Sequence, residues 1–311
     1  MRFSACLLCC LMLLAIAPAD EGAAGHQFRS GEIRRYLAET VQEVSWDSAG
    51  DTLTYTTTLS MELSCYVDRV DGNEVLLVWR VLDLRARHRG PDGEHFLDSA
   101  SETGLDDPLL GDLMIYHLLP LKTRVDRRSG LVLEFAGHEA LIERLNKRHP
   151  AANPMAAAPR QDAAQRSFDP LRMASLFNRY LVVPGTQSSF PLGQGLDMDI
   201  PLEWEDASFR FALPEDAEAP TIHLHHDPTP VQVRLSALEG KGQSVFSQGI
   251  LEQVRGEIAM TLSGSALTQP VEQQHAIQWQ MALLTRTPPR GDGARNDGDS
   301  SDDDDSDSDA R

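Results

Sequence analysis

The chain has 311 residues, a formal charge of −19 and 41% apolar residues, which is enough for a packed core. From Gly291 to Arg311 there are nine Asp against two Arg, a net −7, and the remainder carries −12. A phosphate backbone or an anionic membrane surface asks for clustered Lys and Arg, so nucleic-acid and anionic-membrane binders are excluded.

In chain order, residues 5–17, "ACLLCCLMLLAIA", form one apolar run of thirteen. It is too short for a bilayer, which takes about 20 residues. Arg2 precedes it, and Ala17 and Ala19 follow in an A-x-A pattern. This predicts a signal peptide over residues 1–19, cleaved after Ala19, and an exported protein, periplasmic, envelope-bound or secreted, with no transmembrane span. Three of the four cysteines leave with that segment. Cys65 remains alone, so a disulfide-stapled scaffold is excluded and the core must carry the fold. Its place in a strand-like run predicts a buried, inert thiol.

Residues 20–150 read as a first β-rich lobe ending in a helix. "GEIRRYLAETVQEV", 31–44, fits either a helix or a strand, and a strand pairing with 52–64 is the preferred reading. In "TLTYTTTLSMELS", 52–64, Leu53, Tyr55, Leu59, Met61 and Leu63 share one face, which predicts a long antiparallel strand with one wet side. Asp71-Gly72 marks a hairpin turn. A more central strand follows over Glu74–Arg87, then a turn over 89–94. Two short strands are expected around Arg127–Gly130, and a helix over 138–149 that Pro150 stops.

Residues 151–167, rich in Ala, Pro and Gln, read as a linker. Residues 168–289 read as a helix plus a second β-rich lobe. The helix starts at Asp169 and Pro170, with Leu176, Phe177, Tyr180 and Leu181 on its apolar side, and is followed by short alternating strands. Residues 290–311 read as a disordered acidic tail, fit at most for weak cation binding.

One set of features invites comparison with known families: the Gly-Glu-led strand, "LSMELS", "VDRVDGNEVLLVWRVLDLRAR", "DSAS" at 98–101 and "VDRRSGLVLEFAGHEALIERL". Together they resemble a family of exported bacterial β-rich proteins that carries only a domain-of-unknown-function label. The resemblance covers residues 28–149 and, more loosely, the strands to 285. It implies a β fold and an envelope location, and no catalytic residues.

The chemistry-bearing motifs are incomplete. In "TIHLHHDPTP", 221–230, His223, His225 and Asp227 alternate, and two imidazoles at i, i+2 on a strand face can share a zinc ion. The spacing resembles the start of the metallo-β-lactamase metal motif, but Pro228 stands where that motif needs His, and only His275 follows. "HEALI", 138–142, begins like a zinc helix, but Ile142 cannot ligate, so His138 and Glu139 read as a helix start. "SGSAL" at 263–267 is no nucleophile elbow. "GQG" at 193–195 lacks a third glycine. The tail lacks the Gly and Glu of a calcium loop.

The expected fold is therefore mainly β (α+β): an antiparallel curved sheet, or half-barrel-like lobes, with two packing helices at 138–149 and 169–182. No cofactor is expected. The expected function is that of a non-catalytic envelope or extracytoplasmic protein that binds an apolar ligand or an envelope protein partner. The alternative is a metal-dependent hydrolase built on His223, His225 and Asp227.

Overall fold

The computed structural model describes residues 26–48, 51–149, 165, 168–170, 173–174, 177, 189–193, 196–214, 221–224, 231–266 and 269–289. The signal peptide, most of the linker, the acidic tail, and His225 and Asp227 lie outside the described residues.

The protein is mainly β. In its first half are β1 (Ile33–Ser48), β2 (Asp51–Asp71), β3 (Glu74–Gly90), β4 (Gly93–Asp98), β5 (Leu121–Asp126), β6 (Val132–Ala136) and one α-helix, α1 (His138–Arg148), with a 3-10 turn at Gly111–Tyr116. In its second half are β7 (Ser189–Gly193), β8 (Leu196–Pro201), β9 (Glu203–Glu205), β10 (Ser208–Ala212), β11 (Thr221–Leu224), β12 (Val231–Ser247), β13 (Ile250–Ala266) and β14 (Gln269–Thr287). Twelve strands form one antiparallel sheet in the order β6-β5-β3-β2-β1-β14-β13-β12-β10-β9, with β4 also on β3 and β11 also on β12. The sheet does not close. β7 and β8 pair separately.

The two halves meet where β1 pairs with β14, in register from Ile33↔Thr287 to Ser48↔Val271. The order of strands outward from this seam is the same on both sides. The chain, however, runs outward in the first half and inward in the second, so the halves are alike in layout but are not repeats.

Period-two alternation builds the inner face. On β2, Thr57, Leu59, Met61, Cys65 and Val67 are buried while Thr52, Thr54 and Thr58 are wet. β1 turns Tyr36, Ala38, Thr40 and Gln42 inward, opposite Leu63, Met61, Leu59 and Thr57. On the opposite parity, Ile33, Leu37 and Val41 are only half-buried on the outer side. Strands β12, β13 and β14, read from the sequence as short, run for 17, 17 and 19 residues. Extra residues at Ser236 of β12 and Glu252 of β13, and at Asp68 of β2 and Leu82 of β3, shift the register and bend the strands, because an extra residue on one strand increases local twist. The turn at Gln248-Gly249 has φ of 50° and 74°, the type I′ geometry that matches strand twist.

One core spans both halves. Leu84, Leu97, Phe135 and Leu141 belong to it in the first, Phe209, Val254, Ile277 and Met281 in the second. Leu141 of α1 is fully buried, and Ile142 and Leu145 pack beside it. Arg144 Nη1 of α1 donates to the carbonyls of Ile115 and His117. In the next segment, Pro170, Met173, Ala174 and Phe177 are helical. The Phe177 ring lies 5.5 Å from Phe135 and 5.7 Å from Trp79. Leu176, Tyr180 and Leu181 lie outside the described residues. Within them, no helix is long and apolar enough to cross a membrane.

Candidate functional site

Antiparallel pairing sorts the strand ends into two groups, and the two ends of the inner face differ. At the end where β1 begins, residues 26–34 form a strap. His26 N–H donates to Arg127 O at 2.7 Å and Gln27 N–H to Gly249 O at 3.0 Å, so the strap ties a turn of each half. The His26 ring stacks on Phe28 at 5.2 Å, and the Arg34 guanidinium sits 4.6 Å over Phe28. Glu32, 0% exposed, accepts from Arg34 at 2.9 Å and also from Arg286 of β14. Burial pushes the Glu32 carboxyl up, but the hydrogen bonds and charges of the two arginines outweigh it and hold the pKa below the usual 4.5. Burial pushes the Cys65 thiol to about 12, so this thiol is inert, as its strand position predicted.

The opposite end is open on β1 and β2, and among the described residues its inner face holds no such ion network. One row across the sheet reads Ile277, Gln42, Thr57, His88, His95. The next reads His275, Val44, Tyr55, and the last Gln273, Trp46, Leu53. Gln42, Thr57, His88 and Gln273 are buried; Val44, Trp46, Tyr55 and His275 are half-buried, and Leu53 is 43% exposed. Thr57 Oγ1 lies 2.8 Å from His88 Nδ1, and Tyr55 stacks on His88 at 5.9 Å. His95 Nδ1 lies 2.7 Å from Asp107 Oδ2, and Asp107 also accepts from the Leu109 and Leu110 N–H groups. Burial, then the neighbouring His95, lowers the pKa of His88. Burial alone lowers that of His275 to about 4. His275 Nδ1 is buried with no hydrogen-bond partner.

Between the two ends the inner face is filled. Val254 has no exposed surface, and Trp279 lies against Gly256 so closely that a Cβ there would fall 2.3 Å from its Cζ2; towards the far end Leu235, in the row of Gln273, and Val233, in the row of Val271, have none either. Phe209 and Phe211 cover Gly242 and Gly240 in the same way. The inner-face apolar surface left partly uncovered at that end therefore lies on β1 and β2, at Val44, Trp46, Leu53 and Tyr55. Of the four tryptophans, Trp79 and Trp279 are core residues, while Trp46 and Trp204 are half-buried.

Among the described residues, the hydrogen bonds at this end stop short of a catalytic relay. His88 has a hydroxyl partner but no acid, and His95 has an acid but no hydroxyl. A nucleophile, its base and the base's orienting group need one continuous chain, and here the parts sit on different rings. Of the predicted metal residues, His223 lies on β11, its backbone paired with Gln232; His225 and Asp227 lie outside the described residues. Among the described residues no three His, Cys, Asp or Glu side chains group to hold a metal. His138 and Glu139 open α1, as expected. The polar set of Gln42, Thr57, His88, Gln273 and His275 escaped motif reasoning. Its one sequence signal was Thr57, which has the parity of the apolar set 53/55/59/61/63.

No protein-family model and no curated protein matches the chain. Solved structures give distant likenesses. One is to a structure described as lipid-protein interactions in lipovitellin (TM-score 0.40, 13% identity, 84% of this chain and 26% of that chain). Another is to DynF of the dynemicin biosynthesis pathway of Micromonospora chersina (0.25, 7%, 87% and 90%). A third is to an outer membrane channel from Pseudomonas putida F1 (0.21, 8%, 86% and 100%). The chain thus spans about a quarter of the lipovitellin chain it matches. TM-scores this low carry no functional meaning.

Proposed function

We propose that the protein is a non-catalytic binding module, exported from the cytoplasm, that takes an apolar or amphipathic ligand at the open end of its sheet. One observation carries this reading. The inner face is dry from the strap through its middle and stays so to the far end on β12 to β14, yet on β1 and β2 it ends in half-buried Val44, Trp46 and Tyr55 and exposed Leu53. Apolar surface left wet is unfavourable by roughly 25 cal/mol per Å². Covering ~200 Å² there contributes ~5 kcal/mol before the ordering costs of association. The outer face gives less to hold, being rich in Thr, Gln and paired charges such as Lys241–Glu257.

The test is binding of Nile red, an uncharged apolar dye, to the purified full chain. Saturable fluorescence enhancement is expected, together with a change in tryptophan emission that the Trp46→Ala, Leu53→Asp variant loses. No saturable binding by the wild type overturns the reading. Export is tested separately by intact mass, with a mature chain starting at Asp20 expected and a retained Met1 as the opposing result.

A further inference from the structure

Independently of the ligand end, we infer that the acidic segment 297–309 of this chain docks on a cationic patch on the outer face of its own first half. The patch lies at the strap end of the strands. One row across the outer face runs from Lys122 of β5 through Val78, Tyr66 and Ile33 to Thr287 of β14. The next runs from Arg80 of β3 through Ser64 and Arg35 to Thr285. Lys122, Arg80 and Arg35 are exposed, and neither row holds an Asp or Glu. Of the neighbouring acids, Glu62 pairs with Arg35, Glu74 and Glu134 both pair with Arg124, and exposed Asp68 stands beside exposed Arg69. Among the described residues, Lys122 and Arg80 pair with no carboxylate. The other two lysines of the chain do, Lys147 with Glu143 and Lys241 with Glu257.

Position, length and charge single out the occupant. β14 ends at Thr287, in the row of Lys122 itself, and Pro289 lies against Gly31, so the chain leaves the sheet beside the patch. Residues 297–309 hold eight Asp and no Lys or Arg. Arg80 is three strand spacings from β14, about 14 Å, and Lys122 four, about 19 Å. Thirteen residues lead from Pro289 to Asp302, and a chain of that length spans about 20 Å root-mean-square. The tether matches the span, which gives an effective concentration of about a millimolar. Ion pairs that are weak one by one then hold segment and patch together. The first cations the acidic segment meets are thus the body's own, and a surface that would otherwise draw anions is occupied by the same chain.

The experiment is zero-length carbodiimide cross-linking of the full chain, which joins an amine to a carboxylate only where the two already touch. Peptide mass spectrometry reads the amides, and the yield at each lysine is divided by that lysine's labelling with an amine-reactive ester. At low salt the link from Lys122 to segment 297–309 is expected about fivefold above those from Lys147 and Lys241. Raising NaCl to about 0.5 M shortens the screening length and is expected to cut it about threefold. Arg80→Gln is expected to lower the yield by about half and Arg80→Lys to keep it, with melting curves confirming that both fold. Equal yields at the three lysines, or none at Lys122, overturn the inference. So does a Lys122 yield that neither salt nor Arg80→Gln alters, which would reflect mere closeness of the chain exit. Mixing isotope-labelled with unlabelled chains identifies the donor of the segment: links within one isotope are expected, and mixed links would place the segment on a second copy and overturn the assignment to its own body.

Discussion

The strap end and the open end of the same sheet solve burial differently. The strap end takes charge inside and neutralises it: Glu32 between Arg34 and Arg286, with Phe28 under a guanidinium. The open end buries neutral polar groups and leaves some of them without partners. A buried ion network is rigid, because moving one member exposes an unpaired charge to low dielectric. Neutral groups tolerate exchange of one partner for another. The protein thus fixes its geometry at one end and keeps adaptable contacts at the other.

Three experiments break or sharpen this contrast. The largest effect is expected at the strap. Arg34→Met removes one of two partners from a fully buried carboxylate and should lower stability by about 3 kcal/mol; the double variant Glu32→Gln, Arg34→Met should recover part of it. Denaturant unfolding measures both, and a single variant no worse than the double would deny the network its role. Nile red binding by the folded Arg34 variant should stay at the wild-type value.

Gly256→Ala comes next. Its Cβ would sit 2.3 Å from Trp279 Cζ2, so the ring must move, which costs about 1–3 kcal/mol. Thermal melting together with near-ultraviolet circular dichroism of Trp279 reads it; an unchanged melt would show that the filled middle gives way without cost.

The smallest effect separates the ends by pH. His275 has a folded pKa of about 4 against an ordinary 6.5. The unfolded chain therefore takes up a proton that the folded chain refuses, and stability falls as pH drops from 6.5 towards 4. Glu32, held below 4.5, contributes stability that is present above that value and is lost only as pH falls through its lower folded pKa. Melting temperature against pH should decline for wild type between 6.5 and 4 and flatten in His275→Gln. Parallel curves would place the titration elsewhere.

Much of the fold was legible in the residues. Thirteen alternating residues at 52–64 announced β2, because a half-buried strand has a strict period of two. Pro150 and the Leu141/Ile142/Leu145 set announced α1. Two things were hidden. The length of β12 and β13 was obscured by Gly240, Gly242 and Gly256, which read as turn punctuation. In the structure they are flat seats for Phe211, Phe209 and Trp279, and a ring donated across strands leaves no local mark. The polar rows were hidden for a related reason: Gln42, Thr57, His88 and His275 lie far apart in the chain and meet only through register. The Glu32–Arg286 pair was equally unreadable, being set by the β1–β14 seam.

That seam also governs how the molecule can assemble. β1 to β3 and β12 to β14 are two meanders of neighbouring strands, each able to zip through short hairpins. Their junction joins residues about 250 positions apart, such as Ile33 and Thr287. Closing so long a loop is entropically slow, and non-local pairing of this kind limits folding rate. Until β14 has docked, β1 presents sixteen residues of unpaired backbone at the middle of the future sheet, an edge open to pairing with another chain. During synthesis the first meander must wait, with that edge bare, until the last strand has been made.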